Sequence, residues 1–432
     1  MRATTLSNRV INMNTRSSNR NRVFYWIIPA YFILLLGQAR GIIPLSGYFT
    51  APFLVALLYY GLISLHFNYK KNKLLLAFIV YSLFTVTSYM IVNRPFSLFL
   101  NDCVYFVLPI LIAFVGMDKR EVSNKFYDYL FWACLLSIAI GYYIYFVRPS
   151  WYQSFYTYVM NTKWFRSDYV GFDDIVDSYR FSSFAADSYF TQYFGMFAFS
   201  LGLAKTFKSQ DHKLLYLFFS LIILGAVLLS LQRSAIVCCI LMIVAYFFYF
   251  LKNRKGYKNN NIKYIIYALI VLGIIVLALG ASDVVQKVLF RFTQMGVEDA
   301  FEVEGSRTEQ IQTTLASWEN YVTGNGLGTA GSKARSMGYP GISDGNYIKL
   351  LVEEGVVGFV LFLVLMLTTF IKALKNFRYL SMECCVVGAL IFAMLGSDAL
   401  MFTYYIVPYW YAIGKVWNPD YLNHLKLNNI SV

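Results

Sequence analysis

The chain has 432 residues, of which 58% are hydrophobic and 14% charged, a balance that excludes a string of ordinary soluble domains. Its net charge of +14 would suggest nucleic acid as the partner of a soluble protein, but here the basic residues alternate with apolar blocks of membrane-spanning length and no nucleic acid is expected. The histidines are His66, His212 and His424, all away from the large loops, which argues against a histidine-based metal site or triad.

In chain order, a polar tail (1–23) carries Arg2, Arg9, Arg16, Arg20 and Arg22, and the first apolar block lacks a small-residue cleavage site and reads as a retained span. Twelve spans are predicted, near 24–39, 48–67, 74–92, 98–117, 126–147, 187–204, 214–231, 234–251, 264–282, 350–371, 381–396 and 399–417. If the tail is cytoplasmic, the alternate connections hold 24 basic and 6 acidic residues and the opposite side 13 and 17, the asymmetry expected of an inward-facing basic surface. One missing span would invert every later loop, so the pattern predicts an all-α polytopic transmembrane protein with both termini cytoplasmic. The six cysteines lie mostly within spans and form no C-x-x-C pair at a loop tip, which makes them small buried hydrophobes.

The expected organisation is a tail (1–23), spans one to five (24–147), a first large periplasmic loop (148–186), spans six to nine (187–282), a second large loop (283–349), spans ten to twelve (350–417) and a cytoplasmic end (418–432). The first loop holds Asp168, Asp173, Asp174 and Asp177, whose spacing matches no calcium loop and reads as a solvated acidic surface, and it closes on Arg180. In the second, Ser306 to Tyr321 has helical spacing, with Glu309 placed for a capping box and Ile311, Leu315 and Trp318 able to share a face. Glycines 324, 326, 328 and 331 then end the helix and bring backbone close to another surface; their spacing is neither a dinucleotide fingerprint nor a P-loop.

The candidate site residues are chiefly basic. Arg233, in LLSLQRSAIVCC between two apolar blocks, either snorkels from an interfacial turn or offers its planar donor fork to a phosphate. Arg180 and Arg307 either pair with neighbouring carboxylates or bind the same anion, and Lys333 and Arg335 are weaker candidates for substrate contact. Asp344 and Asn346 precede the tenth span as an Asx turn or as acceptors for a sugar hydroxyl, with Tyr347 beside them. Glu353 and Glu354 follow, one of them expected to pair with a basic residue of another span; Glu353, Tyr347 and Tyr405 are candidates for substrate contact, and Asp102 and Asp398 for the wall of a polar cavity, where Asp398 would also meet substrate. Pro408 is a candidate bend in the last span.

Together these segments resemble the bacterial O-antigen polymerase and ligase superfamily of multi-span inner-membrane glycosyltransferases. YRFSSF is similar to the family's arginine segment closing the first loop, LQRSA to its arginine-serine turn, and SRTEQIQTTLASWENYVTGNGLG to its helix-plus-glycine segment; NYIKLLVEEGVVGF is similar to its start of the next span. The ligase branch carries a histidine where Asp344 stands here, a departure that favours a polymerase. The resemblance implies a GT-C-like polymerase/ligase fold, no cofactor and no metal, and an active site facing the periplasm. It implies undecaprenyl-pyrophosphate-linked glycans as donor and acceptor, with a chain-length regulator and a flippase as protein partners. Arg233 and Arg307, assisted by Arg180, would then stabilise the departing pyrophosphate, and Asp344 would serve as base. The rival readings are ligation of the glycan to a lipid A core and a flippase or secondary transporter, which would show matched halves that the asymmetric loops lack.

Overall fold

The computed structural model describes residues 46–92, 94–119, 121–152, 154, 181, 188–208, 212–230, 232–252, 307–342, 345–397, 400 and 403–428. The expected spans 24–39 and 264–282, the acidic cluster of the first loop, Arg180, Asp344 and Asp398 lie outside the described residues. Among those described, every regular element is helical.

Helix α1 spans Ser46–Asn68, α2 Lys73–Ser88 and α3 Phe96–Gly116, the last passing through a π turn at Cys103–Val107. Helices α4 (Lys125–Val147), α5 (Ser188–Lys208), α6 (Lys213–Leu229) and α7 (Arg233–Lys252) follow. After the short α8 (Arg307–Ala316) and α9 (Ser332–Ser336) come α10 (Asn346–Lys375), α11 (Phe377–Ala393), α12 (Thr403–Val416) and α13 (Pro419–Leu427). Among the described residues, five segments are long and apolar enough to cross a membrane: Ala51–Lys71, Phe96–Gly116, Lys125–Val147, Arg233–Leu251 and Asn346–Lys375. Pro408 lies inside α12, which continues through it.

Helix α5 is the hub, packed by α4, α6, α7, α11 and α12. Every residue from Thr191 to Ala204 is buried, so its polar residues Thr191, Gln192, Ser200 and Thr206 face protein rather than lipid. Elsewhere the chain presents apolar side chains outward, among them Val55, Leu136, Phe218, Phe248, Val364 and Leu395, as expected of surfaces solvated by acyl chains. All six cysteines are free thiols, five of them buried.

The tenth span departs from expectation. Its helix begins at Asn346 rather than 350, and it is broken at Gly355, where φ is +65°. The break lets the amides of Asn325 and Gly326 reach the carbonyls of Val352 and Glu353 at 2.8 and 2.9 Å, while Val356 and Val357 donate to Tyr321 and Val322. A Cβ on Gly355 would stand 2.3 Å from the Val322 carbonyl oxygen, so Gly355→Ala combines a left-handed backbone with a backbone clash. It is expected to lower stability by about 2 kcal/mol or more, read as a fall in the unfolding temperature of the purified protein.

The preceding segment also differs: helix α8 stops at Ala316 instead of reaching Tyr321. Asn325 ends it, its Oδ1 accepting from the Glu319 and Asn320 amides at 3.0 and 3.1 Å and its Nδ2 donating to the Ser317 carbonyl at 2.7 Å. Thr314 is buried and Leu315 exposed, and Trp318 lies beyond the end of α8, so it does not share a helical face with Ile311 and Leu315.

Candidate functional site

At one end of the bundle the starts of α5, α7 and α10 meet the finish of α11. Gln192, near the start of α5, donates through Nε2 to Ser234 Oγ at 2.9 Å and lies 3.5 Å from Ser397 Oγ. The Tyr193 hydroxyl is 2.6 Å from the same Ser397 oxygen. Asn346 donates its amide to the Met394 carbonyl at 3.2 Å and accepts from the Leu400 amide through Oδ1 at 2.9 Å. These bonds fasten both flanks of Asp398. They also fix the half-buried Arg233, the first residue of α7, beside Ser234.

Phe181 adds the first loop to this assembly. Its side chain is buried against Tyr142 and Tyr145, and its amide donates to the Leu229 carbonyl at 3.1 Å. Arg180 is its sequence neighbour and Leu229 ends α6, four residues before Arg233, so the two segments that carry these arginines are tied at one corner. Tyr405 is buried below, its ring stacked on Tyr193 at 6.0 Å. Tyr347 donates its hydroxyl to the Ile391 carbonyl at 2.7 Å.

A second polar cluster lies on the other flank of α10. Lys349 Nζ is 2.8 Å from Asp102 Oδ2 and 3.8 Å from Glu353 Oε2, with all three side chains almost fully buried. Glu353 Oε1 accepts the Ala330 amide at 3.0 Å, and Glu354 Oε1 accepts the Ser82 hydroxyl at 2.8 Å. Tyr89 donates to the Leu327 carbonyl, and the Thr85 hydroxyl accepts the Leu327 amide at 3.2 Å. The surface approached by the glycine-rich loop is therefore the protein's own helices α2, α3 and α10: a Cβ at Gly324 would meet the Glu353 carbonyl oxygen at 2.2 Å.

This cluster changes the roles expected from sequence. Glu353, assigned to substrate contact, is buried and holds the Ala330 amide, and its lysine stands one turn earlier on its own helix rather than on another span. Glu354 reaches another helix, but through a serine. Asp102 belongs to the same ion cluster. Lys333 and Arg335 sit on the exposed α9, outside both buried clusters. Helix α8, which begins at Arg307, packs against α10.

Gln192, Ser234, Ser397 and Lys349 were missed by sequence reasoning. The available signal was chemical: a glutamine or lysine inside an apolar run must find a partner, and Lys349 and Glu353 have the i,i+4 spacing of an ion pair.

Between α7, α10 and α11 runs an almost wholly apolar groove of about 550 Å³, lined by Cys238 and Ala245 of α7, Leu367 of α10, Gly388 of α11 and Leu395 in the turn that follows it, with Tyr347 at its upper end. Cys238 is five residues from Arg233, roughly 7.5 Å along the helix axis, and Ala245 roughly 18 Å. The groove therefore starts just below the turn that bears the guanidinium and descends along the bundle. Leu241, Leu367, Leu374 and Leu395, which line it, are exposed, so it opens sideways.

A family model described as O-Antigen ligase matches residues 218–363, from α6 through α7 and α8 into α10. The match takes in Arg233, Arg307, Asp344 and the glycine-rich loop, and over those residues the chain is similar to that family. It supports the O-antigen polymerase and ligase superfamily, and with it a glycosyl-transferring, multi-pass membrane protein. No curated protein matches the chain.

Proposed function

We propose that the protein is an inverting glycosyltransferase that polymerises undecaprenyl-pyrophosphate-linked repeat units at the periplasmic face of the inner membrane. The observation that carries this reading is the apolar, laterally open groove beginning beside the Arg233 turn. A prenyl chain lying in it would bring its pyrophosphate to a guanidinium at a helix N-terminus.

In the proposed reaction an acceptor hydroxyl oxygen bonds to the donor anomeric carbon. The bond from that carbon to the lipid pyrophosphate breaks, and the pyrophosphate leaves with the electron pair. Asp344 takes the hydroxyl proton in this scheme. Arg233, Arg307 and Arg180 would act by binding the leaving group more strongly as its charge grows. The leaving group already carries the activation, so the scheme consumes no nucleotide. Asn346, Asp398 and Tyr405 would shape the cavity wall, and Lys333 and Arg335 would meet the glycan from the exposed loop.

Ligation to a lipid A core is the second reading, favoured by the description of the matched family. One experiment separates the two: incubate purified protein with a defined lipid-linked repeat unit, with and without lipid A core, and follow glycan length and released lipid pyrophosphate. Longer glycans still attached to lipid are expected. Transfer to the core alone would establish ligation, and translocation without new glycosidic bonds would reject both.

Ala245 is exposed at the deep end of the groove, where a larger side chain fills space without displacing the core. Ala245→Phe is expected to raise KM for a full-length prenyl substrate by about tenfold and to leave KM for a short-prenyl analogue within about twofold. Equal KM changes for both substrates would remove the groove from the binding site.

A further inference from the structure

Donor and acceptor of the proposed reaction both carry a lipid pyrophosphate, and the arginines named so far are assigned to the donor's. The two groups cannot share that place. The attacking hydroxyl lies along the acceptor's repeat unit, away from its lipid, so when it meets the donor's anomeric carbon the acceptor's own pyrophosphate stands some distance off. Two pyrophosphates on one turn would also repel each other. A second anion site is required, at the same end of the bundle but apart from Arg233.

Arg94 meets that requirement. It lies in the connection between α2 and α3, and its guanidinium carbon stands 4.5 Å from the centroid of the Tyr339 ring, in the loop after α9. Its Nε is closed off without an acceptor. The side chain as a whole is only half-buried, its terminal nitrogens stay open, and no hydrogen bond or ion pair engages them among the described residues. Lys349, not Arg94, stands between the buried carboxylates of Asp102 and Glu353. A guanidinium stacked on a ring keeps the edge of its donor fork free, and partial desolvation without a counter-charge strengthens an anion's interaction with it.

Arg94 is at Arg233's end of the molecule. Helix α3 starts two residues after Arg94 and finishes at Gly116, whose carbonyl accepts from Asn418, just past α12, at 3.1 Å. The opposite end of α12 carries Tyr405, stacked on Tyr193 of α5, and Gln192 beside Tyr193 holds Ser234. Helix α10 separates the two arginines: Asn346 meets Leu400 on the Arg233 side, whereas Lys349 meets Asp102 of α3. The gap is thus at least the width of a helix, about 10 Å.

The surroundings suit a lipid-linked glycan. Phe96 and Leu100, one turn apart on α3, are exposed, as are Val80 and Phe84 of α2, so a prenyl chain hanging from Arg94 would descend over apolar side chains. The Tyr339 amide donates to the Ala334 carbonyl of α9 at 3.1 Å. Glycan leaving a pyrophosphate at Arg94 would therefore pass the helix that bears Lys333 and Arg335.

We infer that Arg94, stacked on Tyr339, binds the pyrophosphate of the acceptor lipid while Arg233 holds that of the donor. The inference rests on the polymerase reading and gives its second substrate a separate place.

The test uses the full chain and two blocked substrates. One joins the repeat unit to its prenyl pyrophosphate through a methylene in place of the anomeric oxygen and can only accept; the other has the attacking hydroxyl replaced by hydrogen and can only donate. Arg94→Gln is expected to raise KM for the accepting substrate about tenfold and to leave KM for the donating substrate within about twofold. Tyr339→Leu, in the exposed loop, removes the ring and is expected to raise KM for the accepting substrate about threefold, which keeps the test open should the Arg94 variant fail to fold. Equal changes in both KM values, or in neither, would overturn the assignment. Binding is read separately by native mass spectrometry with undecaprenyl pyrophosphate alone: the unaltered chain is expected to retain two equivalents, and Arg94→Gln and Arg233→Ala one each. Two equivalents in Arg94→Gln would overturn the proposal, and so would displacement of the second equivalent by excess phosphatidylglycerol, which would make Arg94 a phospholipid site. If no chain forms a glycosidic bond, the polymerase reading fails and the acceptor assignment with it, whereas the lipid count still decides whether Arg94 holds a pyrophosphate.

Discussion

Lys349→Met is expected to produce the largest loss of stability of any single substitution considered for this chain. The ammonium stands 2.8 Å from Asp102 and 3.8 Å from Glu353 in a site with almost no solvent, and its removal leaves two carboxylates buried side by side. Breaking a buried pair in this way costs about 3–5 kcal/mol, chiefly through the charge left uncompensated. The expected readout is a lowered unfolding temperature and faster hydrogen exchange in 324–331, because Glu353 holds the Ala330 amide. Adding Asp102→Asn and Glu353→Gln to the lysine variant should restore more than half of the loss, since the orphaned charges are then gone. An unchanged unfolding temperature in Lys349→Met would show that the cluster does not fasten the loop.

Arg233→Ala and Arg307→Ala are each expected to leave membrane insertion intact while reducing polymerisation at saturating substrate at least about tenfold, or roughly 1.4 kcal/mol of barrier. For Arg233 the conservative variant adds resolution. Lysine keeps the charge but not the planar fork, so Arg233→Lys should recover only part of the activity if two phosphate oxygens are gripped together. Near-normal turnover of both alanine variants would overturn the role proposed for the arginines. Asp344→Asn separates the parts of the scheme: unchanged activity would remove the base and leave the electrostatic stabilisation standing.

Much of the helical framework was legible. The predicted blocks 126–147, 187–204 and 234–251 correspond to Lys125–Val147, Ser188–Lys208 and Arg233–Lys252, because a backbone in lipid must satisfy its own hydrogen bonds and long apolar runs admit one solution. Hydropathy failed where protein replaces lipid as the surroundings. Asn346 and Lys349 made the beginning of α10 look like loop, yet Leu400 and Asp102, distant in sequence, supply the partners that let those residues be buried. The same cause hid Gln192, whose partners Ser234 and Ser397 lie on other elements. The glycine-rich loop was readable as a close approach, but not what it approached, since Tyr89, Leu98 and Glu353 come from three separate helices. At the site, the neighbourhood of Arg233 follows from hydrogen bonds among Gln192, Ser234 and Ser397; no local pattern encodes that meeting.

The break at Gly355 has a consequence for biogenesis. Residues 356–371 are free of charge, whereas 346–354 contain Lys349, Glu353 and Glu354, each unfavourable to a nascent helix handed alone to the bilayer by roughly 2.5–3.5 kcal/mol at its centre. The uncharged half is thus the part suited to engaging the translocon, with the charged half left in water until Asp102, Ser82 and the 324–331 loop have assembled to receive it. Insertion of this segment is thus expected to fall into two steps, divided at the glycine.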